Sequence, residues 1–539
     1  MRAGSGGFSA AAASVRASVA ENDAPAVFPA AKPCGGATTG RAATPATPSL
    51  SSSPRRAATM ELLAPAGGRE QLEYAVHFGA DAVYLASERF GMRRRAENFA
   101  EADIADAVAF AHARGVRVYV TANTLMNDSD VDDLPRYFAL LADAGVDAVI
   151  VSDLGALSIA RRAAPGLGIH LSTQASCMNA QAARAYYDLG VRRIVVAREM
   201  SLAQIAELRR RIPDDLQIEA FAHGAMCMAY SGRCLISDYL AGPARGANVG
   251  RCAQPCRWEY SLVERTRPGQ RFDVVEDERG SAIMSSRDMN MLAHIDELSA
   301  AGVNSLKIEG RAKGAYYAAA VTNAYRHVLD GAPADRWQAE LETTSHRPWS
   351  TGFYYGQPGQ SVGDVQYERA YHMAACVESC EPAGPGDAAL ASVESGPIAA
   401  ALAPEGASVS AFASDAGSFP ASCGVLGAAS APPPDAPSWR VTLACRNRFR
   451  EGEELEVLSP ASDVFRVAAR GLLWHAAPEA DVSEVERRGG GVALGPDPGR
   501  EGGLLVRVDV ANRTMERYSI LSPRPLAEGD ILRIARPGQ

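Results

Sequence analysis

The sequence predicts an α/β protein, a TIM-like (β/α) barrel followed by a small antiparallel β-barrel domain. From Leu62 to about Ala318, short apolar or β-branched runs alternate with helical stretches, which is typical of parallel strands joined by helices. Glycine stands just before several of these runs, at Gly79, Gly145, Gly190 and Gly302. A left-handed residue that ends each helix explains this placement. About eight such units close a barrel rather than form an open sheet.

The predicted barrel strands can be read directly from the chain. In order they are LLAPA, DAVYLA, VRVYVTAN, DAVIVSD, IHLSTQA, RRIVVARE, IEAFAHG and SLKIEGR. No G-x-G-x-x-G follows the first strand, so a dinucleotide-binding domain is the weaker alternative. Polar residues gather at the carboxyl ends of these strands, which is the face that carries the chemistry of such a barrel. They are Asn123, Asp153, Gln174, Arg198, Glu199, Glu219, His223, Lys307, Glu309 and Arg311.

The 539 residues, of which 47% are hydrophobic, suffice for two or three domains. Residues 1–59, rich in Ala, Ser, Gly and Pro, predict a disordered extension or a misassigned start upstream of Met60, with an organellar transit peptide as the alternative. Residues 60–356 are predicted to form the catalytic barrel. No apolar run is long enough to span a bilayer. We therefore expect a soluble, cytoplasmic protein.

Residues 365–539 are predicted to form the β-rich C-terminal domain, interrupted by a low-complexity linker at 381–438. Beyond the linker, WRVTLACRNRF, EELEVLSP, VFRVAARGLLW, GLLVRVDV and DILRIA alternate like short antiparallel strands. The run YHMAACVES, before the linker, also has the pattern of a strand. We expect it to pair with the strands that follow the linker.

Four of the ten cysteines fall between residues 219 and 260. They are Cys227, Cys234, Cys252 and Cys256, in the order C-x6-C, a seventeen-residue gap, and C-x3-C. Four thiolates brought together by short loops hold an iron–sulfur cluster or tetrahedral zinc. Zinc sites usually use C-x2-C spacing, so we predict an iron–sulfur cluster, with zinc as the alternative. Disulfide bonds between these cysteines are the least favoured interpretation, because nothing else in the chain indicates secretion.

Charge suggests roles for the polar strand ends. Arg198, Lys307 and Arg311 are predicted to bind carboxylates or phosphate, and Gln174 is a further substrate-binding candidate. Glu219 and Glu309, if partly desolvated, are candidates for proton transfer. His223, four residues before Cys227, either contacts the cluster, transfers a proton, or is a hydrogen-bonded core histidine.

A family resemblance rests on the same stretch. The run Glu219-x-Phe221-x-x-Gly224-Ala225-Met226-Cys227-x4-Gly232-x-Cys234-x-Ile236-Ser237 resembles the signature of the collagenase-like peptidase family, whose members are chiefly oxygen-independent hydroxylation proteins. Further runs are similar to the branch that hydroxylates tRNA. They are ELLAPAG, GADAVYLA, HLSTQA, CRWEY, SLKIEGR and HRPWSTGFYYG.

The resemblance implies a tRNA-modifying enzyme that converts the wobble uridine to 5-hydroxyuridine. It also implies prephenate as the hydroxyl source and a cluster of the 4Fe-4S type. Relatives hydroxylate ribosomal cytidine or a quinone precursor, which are the alternative substrates. Proteolysis is the alternative from another class: Cys227 with His223 resembles a thiol nucleophile and its base. However, the sequence has neither an H-E-x-x-H helix nor a G-x-S-x-G turn.

The formal net charge of −9 argues against a broad nonspecific nucleic-acid surface. A polyanion would instead bind a local basic patch. The run FGMRRRAENF is similar to a basic run of the family on the pocket side, so Arg93 and Arg95 are predicted to bind the substrate. Tyr84 and Phe90 nearby are candidates for stacking a flipped base.

Overall fold

A computed structural model describes residues 60–92, 97–227, 234, 236–242, 245–247, 250–255, 285–356, 360–361, 370–384, 439–480 and 491–536. The predicted extension at 1–59, the basic residues Arg93 and Arg95, the ligand candidate Cys256 and the linker from residue 385 onward lie outside these ranges. No helix within the described ranges is long and apolar enough to cross a membrane.

The first part of the chain contains twelve described strands. They are β1 (Glu61–Pro65), β2 (Ala82–Leu85), β3 (Arg117–Ala122), β4 (Ala148–Val151), β5 (Gly168–Leu171), β6 (Arg193–Val195), β7 (Gln217–Gly224), β8 (Ser285–Ser286), β9 (Asp288–Asn290), β10 (Ser305–Ile308), β11 (Trp349–Ser350) and β12 (Gln360–Ser361). The described helices are α1 (Arg69–His77), α2 (Ile104–His112), α3 (Asp128–Asp143), α4 (Leu154–Ala163), α5 (Ala180–Asp188), α6 (Leu202–Arg211), α7 (Ile236–Ala241), α8 (Ile295–Ala300), α9 (Ala315–Leu329) and α10 (Ala334–Glu342).

Eight of these strands close a parallel barrel. Strands β1 to β7 pair in chain order, and β10 pairs with both β1 and β7. The eight predicted strands are thus confirmed, as is the TIM-like fold. Gly79, Gly145, Gly190 and Gly302 have φ values between 78° and 99°, so the predicted left-handed turns are also confirmed. Strand β9 runs antiparallel to the end of β7, with Gly224 opposite Met289, and pairs in turn with β11.

Side-chain caps set where several of the barrel helices begin. Asn127, Asp153, Asn179 and Ser201 precede α3, α4, α5 and α6, and each accepts a hydrogen bond from a backbone amide of the first turn. Asp153, grouped with the polar strand ends above, is therefore a helix cap: its Oδ1 lies 3.0 Å from the amide nitrogen of Ala156.

The second part of the chain is an antiparallel β domain. Its strands are β13 (Tyr371–Pro382), β14 (Trp439–Cys445), β15 (Phe449–Arg450), β16 (Glu454–Ser459), β17 (Ser462–Ala468), β18 (Arg470–Ala476), β19 (Gly491–Pro496), β20 (Leu504–Val508), β21 (Val510–Ala511), β22 (Arg517–Ser522) and β23 (Ile531–Ala535). Nine of them form one sheet in the order β17-β16-β23-β13-β14-β22-β18-β20-β19, and β15 pairs with β21. Strand β13 pairs with β14 across the predicted linker, which confirms that expectation. It ends at Pro382, so it includes the first two residues of the predicted linker.

The β domain packs against the helices of the barrel. One apolar cluster joins them; its buried members are Tyr74, Phe78, Ala319 and Ala320 of α1 and α9, and Met373, Leu458 and Ile531 of β13, β16 and β23. The buried Arg533 of β23 adds charge to this junction: its Nη2 lies 2.9 Å from Glu340 Oε1 of α10 and 2.9 Å from Glu456 Oε2 of β16. Apolar and ionic contacts therefore fix the β domain to the helical layer on this side.

Candidate functional site

A cavity lies at the carboxyl ends of the barrel strands. Its empty volume, including the open solvent at its mouth, is about 490 Å³. Its lining residues are Tyr84, Met92, Thr121, Asn123, Ile150, Ser172, Thr173, Gln174, Val195, Arg198, Phe221, Lys307, Glu309 and Arg311. The structure thus brings together Gln174, Arg198, Lys307, Glu309 and Arg311, five of the predicted site residues. Three of the five are cations and one is a carboxylate, so the lining favours an anionic ligand.

Lys307 connects the cavity to the charges below it. Its Nζ donates to Glu219 Oε1 at 2.7 Å and lies 4.3 Å from the centre of the Tyr84 ring. Burial lowers the pKa of Lys307, and the negative charge of Glu219 opposes that effect. Glu219 itself is fully buried and does not line the cavity. It therefore contacts the cavity through the ammonium group of Lys307.

Beneath this pair, Arg193 joins two buried carboxylates. Its Nη1 lies 3.3 Å from Glu219 Oε2 and its Nη2 lies 3.2 Å from Glu61 Oε2. Tyr119 and Ser305 each donate a hydroxyl hydrogen bond to Glu61 at 2.8 Å. Burial raises the pKa of Glu61, but the charge and hydrogen bonds of Arg193 outweigh this, and the pKa lies below its ordinary value. The carboxylate of Glu61 therefore stays ionised.

Glu61 and Arg193 are not among the residues predicted from the sequence. Each stands at the amino-terminal start of a predicted apolar strand, at Glu61 before LLAPA and at Arg193 within RRIVV. The pattern that could have predicted them is a charged residue at a strand position whose side chain points into the barrel. The residues it pairs with lie on strands far apart in the sequence.

Two arginines of the lining are held in place by neighbours. The guanidinium carbon of Arg198 lies 3.7 Å from the centre of the Phe221 ring, and its Nη1 donates to the carbonyl of Ala225 at 2.8 Å. Arg311 donates from Nη1 to Thr121 Oγ1 at 3.0 Å and from Nη2 to Asn98 Oδ1 at 2.5 Å. Both guanidinium groups are therefore oriented before any ligand binds.

His223 lies away from this cavity, although it is on the same strand as Phe221. Its ring is 1% exposed and packs against Tyr317, Tyr325 and Trp349, with ring centres 5.0 to 5.9 Å apart. Neither ring nitrogen has a hydrogen-bond partner among the described residues. Burial lowers the pKa of His223 to about 3, so the imidazole is neutral at physiological pH. Its carbonyl accepts a hydrogen bond from the amide of Glu309 at 2.8 Å.

The segment that carries the cysteines leaves β7 at the rim of the cavity. The carbonyl of Ala225 binds Arg198, and the carbonyl of Met226 accepts from Ser286 Oγ at 2.7 Å. Cys227 follows immediately and is exposed. Cys227 is two residues after Ala225, whose carbonyl binds Arg198. Two residues of chain span at most roughly 7 Å, so Cys227 lies close to that contact.

The later part of this segment approaches the same rim from the β2 side. Gly250 has φ 74°, and a Cβ on it would lie 2.8 Å from the carbonyl oxygen of Gly91 and from the carbonyl carbon of Met92. Only glycine allows this close approach to the loop that carries Met92, a lining residue. Cys252 lies two residues further on, and its sulfur accepts the amide hydrogen of Gln254 at 3.2 Å.

The described thiols Cys227, Cys234 and Cys252 are free of disulfide bonds. Over the described ranges, no three or more His, Cys, Asp and Glu side chains form a group that could hold a metal ion. Cys256 lies outside those ranges, so the four-thiol site remains a prediction.

Comparison with known proteins places the chain in a family. Residues 67–364 match the family model described as Peptidase family U32. The chain belongs to this family. The family predicted from the Glu219–Ser237 signature is thereby confirmed.

Two curated relatives are similar over about three quarters of their length, and a third over less than half of its length. tRNA hydroxylation protein P1 of Bacillus subtilis is 40% identical over 328 residues, covering 59% of this chain and 76% of the relative. tRNA hydroxylation protein P of Escherichia coli is 36% identical over 337 residues, covering 54% of this chain and 74% of the relative. The 23S rRNA 5-hydroxycytidine C2501 synthase of Escherichia coli is 39% identical over 277 residues, which cover 51% of this chain and 40% of the relative.

Proposed function

We propose that the protein is a cytoplasmic RNA-modifying enzyme that hydroxylates the wobble uridine of tRNA to 5-hydroxyuridine without molecular oxygen. The observation that carries the proposal is the cation-rich cavity at the carboxyl ends of the barrel strands, next to the cysteine-bearing segment. The names of the relatives support the reaction class, because two hydroxylate tRNA and one makes hydroxycytidine in ribosomal RNA.

In this proposal the cations bind the hydroxyl source, prephenate, which carries two carboxylates. Arg198 and Arg311 present oriented guanidinium groups, and a planar guanidinium suits bidentate pairing with a carboxylate. Lys307 adds a point charge at the floor of the same cavity. Arg93 and Arg95 follow the lining residue Met92 in the chain and would contact the RNA backbone.

The four cysteines Cys227, Cys234, Cys252 and Cys256 would hold the iron–sulfur cluster. The donor set fits such a group: four thiols are soft ligands for iron, and an amide hydrogen bond to Cys252 sulfur is of the kind that tunes cluster potentials. A cluster bound there supplies one-electron redox chemistry.

In this proposal Glu309 transfers the proton. It lines the cavity and is 8% exposed. Glu219 acts through Lys307, because its carboxylate binds that ammonium group. His223 contributes through its backbone, since its carbonyl holds the amide of Glu309.

Proteolysis is the competing function, and the description of the family favours it. A thiol nucleophile needs a base within hydrogen-bonding reach. Both ring nitrogens of His223 lack a hydrogen-bond partner in the described part of the chain, so the structure offers no Cys227–His223 pair. The modification of RNA is therefore the better supported function.

The test compares tRNA from a strain that lacks the gene with tRNA from strains carrying wild-type protein, Cys227→Ala or Lys307→Met. We expect nucleoside mass spectrometry to find 5-hydroxyuridine only with the wild type. Iron and sulfide, assayed on protein purified without oxygen, should be lost in Cys227→Ala and kept in Lys307→Met. Normal 5-hydroxyuridine in the deletion strain would refute the proposed reaction. A colourless wild-type protein containing zinc would refute the proposed cofactor.

A further inference from the structure

Asn123 is held from three sides where β3 ends at the cavity. Its backbone amide donates to the carbonyl of Phe90 at 2.9 Å, and its backbone carbonyl accepts from Ser152 Oγ at 3.0 Å. Its side-chain Nδ2 donates to Ser172 Oγ at 3.0 Å. Ser172, a fellow lining residue, also accepts the amide hydrogen of Gln174 at 3.3 Å. The backbone and the side chain of Asn123 are therefore held in position before a ligand arrives.

One polar atom of this amide is unpaired in the described part of the chain. Asn123 Oδ1 is buried and has no hydrogen-bond partner among the described residues. A buried acceptor left unpaired costs free energy, and an apolar side chain of the same size would avoid that cost. In a cavity this points to a ligand that supplies an N–H or O–H donor to Oδ1.

We propose that Asn123 Oδ1 accepts the N3–H of uracil and that Asn123 thereby selects uridine over cytidine; this rests on the proposed function. Uracil presents a donor at N3 between two carbonyl acceptors, whereas cytosine presents an acceptor at N3. The side chains of Gln174 and Lys307 line the same cavity and supply donors for the carbonyls. Cytosine would set its N3 lone pair against Oδ1, so the two acceptors would repel each other.

The experiment measures binding of two fluorescent RNA stem–loops that differ only by uridine or cytidine at the wobble position. Protein purified without oxygen is titrated in the absence of prephenate, and anisotropy gives the two affinities. We expect wild type to bind the uridine stem–loop about tenfold more tightly, the scale of one hydrogen bond gained and one repulsion avoided. Asn123→Leu, which offers neither the hydrogen bond nor the repulsion, should bind both stem–loops equally, with an affinity between the two wild-type values.

Two further variants separate recognition from folding. Asn123→Asp keeps an oxygen at the Oδ1 position, so it should bind both RNAs less tightly because of its charge and still prefer uridine. Asn512→Leu makes the same change as Asn123→Leu at an exposed position of the β domain and should behave as wild type. Melting temperatures of all variants show whether the fold is retained.

The outcomes are distinguishable. A tenfold preference that persists in Asn123→Leu would overturn the inference and leave the proposed function in place. Equal wild-type affinity for both stem–loops, with prephenate binding lost in Asn123→Leu, would assign Oδ1 to the hydroxyl of the small molecule and also overturn it. If wild type binds neither stem–loop better than a scrambled RNA, the inference and the proposed tRNA substrate fall together.

Discussion

Four buried side chains of alternating charge run through the barrel interior: Glu61, Arg193, Glu219 and Lys307. Arg193 contacts both carboxylates, and Glu219 Oε1 lies 2.7 Å from Lys307 Nζ. Removing one member would leave an uncompensated buried charge, which costs about 3–5 kcal/mol. The chain of charges ends at the cavity, so the ammonium group of Lys307 is presented to a ligand while its own desolvation is offset by Glu219.

His223 makes the stability of the protein depend on pH. Its pKa is about 3 in the folded protein, against about 6.5 for an unfolded histidine. Between these values the unfolded chain binds more protons, so this residue lowers the free energy of unfolding by about 1.4 kcal/mol for each pH unit below about 6.5. The penalty is absent above that pH and complete near pH 3.

His223→Phe keeps an aromatic ring in the pocket and removes the titration. Urea unfolding at pH 7.5 and pH 5.5 should show wild type losing about 1 kcal/mol more than the variant between the two pH values. His112→Phe removes an exposed histidine of α2 that pairs with Asp147 at 2.9 Å, and it should not reproduce the effect of His223→Phe. Equal losses in wild type and His223→Phe would contradict the assignment of this pH dependence to His223.

At the scale of elements, β8, β9 and the chain before β11 support the cysteine-bearing segment. Asp288 Oδ1 accepts from Arg347 Nε at 2.9 Å and Nη2 at 2.6 Å, and both residues are 2% exposed. Arg347 Nη1 also donates to Ser286 Oγ at 3.2 Å, and that hydroxyl donates to the carbonyl of Met226. A buried ion pair thus orients the hydroxyl that holds the residue before Cys227.

Ser286→Ala removes this contact and should loosen the Cys227 segment. We expect reconstitution with iron and sulfide to give less iron for each chain, because the segment that carries Cys227 is held less firmly. Ser350→Ala is the control, because Ser350 Oγ contacts the carbonyl of Asp288 and not the cysteine segment. If Ser286→Ala takes up as much iron as Ser350→Ala, measured by metal analysis, the hydroxyl of Ser286 does not support the cysteine-bearing segment.

At the scale of the whole molecule, Arg533 joins the barrel to the β domain. It is 2% exposed and contacts Glu340 of the barrel, Glu456 of the β domain and the hydroxyl of Tyr316 at 2.9 Å. Surface pairs also cross the junction. One joins Arg446 to Glu70 at 2.7 Å, and another joins Arg336 to Asp463.

Arg533→Met leaves Glu340 and Glu456 without their shared cation and should lower the free energy of unfolding by about 3–5 kcal/mol. Arg336→Met removes an exposed pair across the same junction and should cost less than about 1 kcal/mol. Urea unfolding followed by tryptophan fluorescence measures both. If Arg533→Met costs no more than Arg336→Met, the buried cation does not hold the domains together.

Much of the fold follows from local patterns in the sequence. The apolar runs predict all eight barrel strands, and the glycines before them adopt the left-handed turns that the pattern requires. The same patterns predict the face on which the cavity lies, because the carboxyl ends of parallel strands meet at one end of a barrel. Arg198 follows β6, Lys307 lies in β10 and Arg311 follows β10, and all three line one cavity.

What the sequence determined by itself is therefore the order of the elements, the face that carries the polar residues and the family of the chain, since each depends on spacing along the backbone. Only the tertiary structure decided which buried charges pair. Glu61 meets Arg193 from 132 residues away and Ser305 from 244 residues away, because closure of the barrel brings β1 beside β10 and turns distant strands toward one interior. It likewise separated Glu309, on the cavity, from His223, whose side chain packs among aromatic rings outside the cavity.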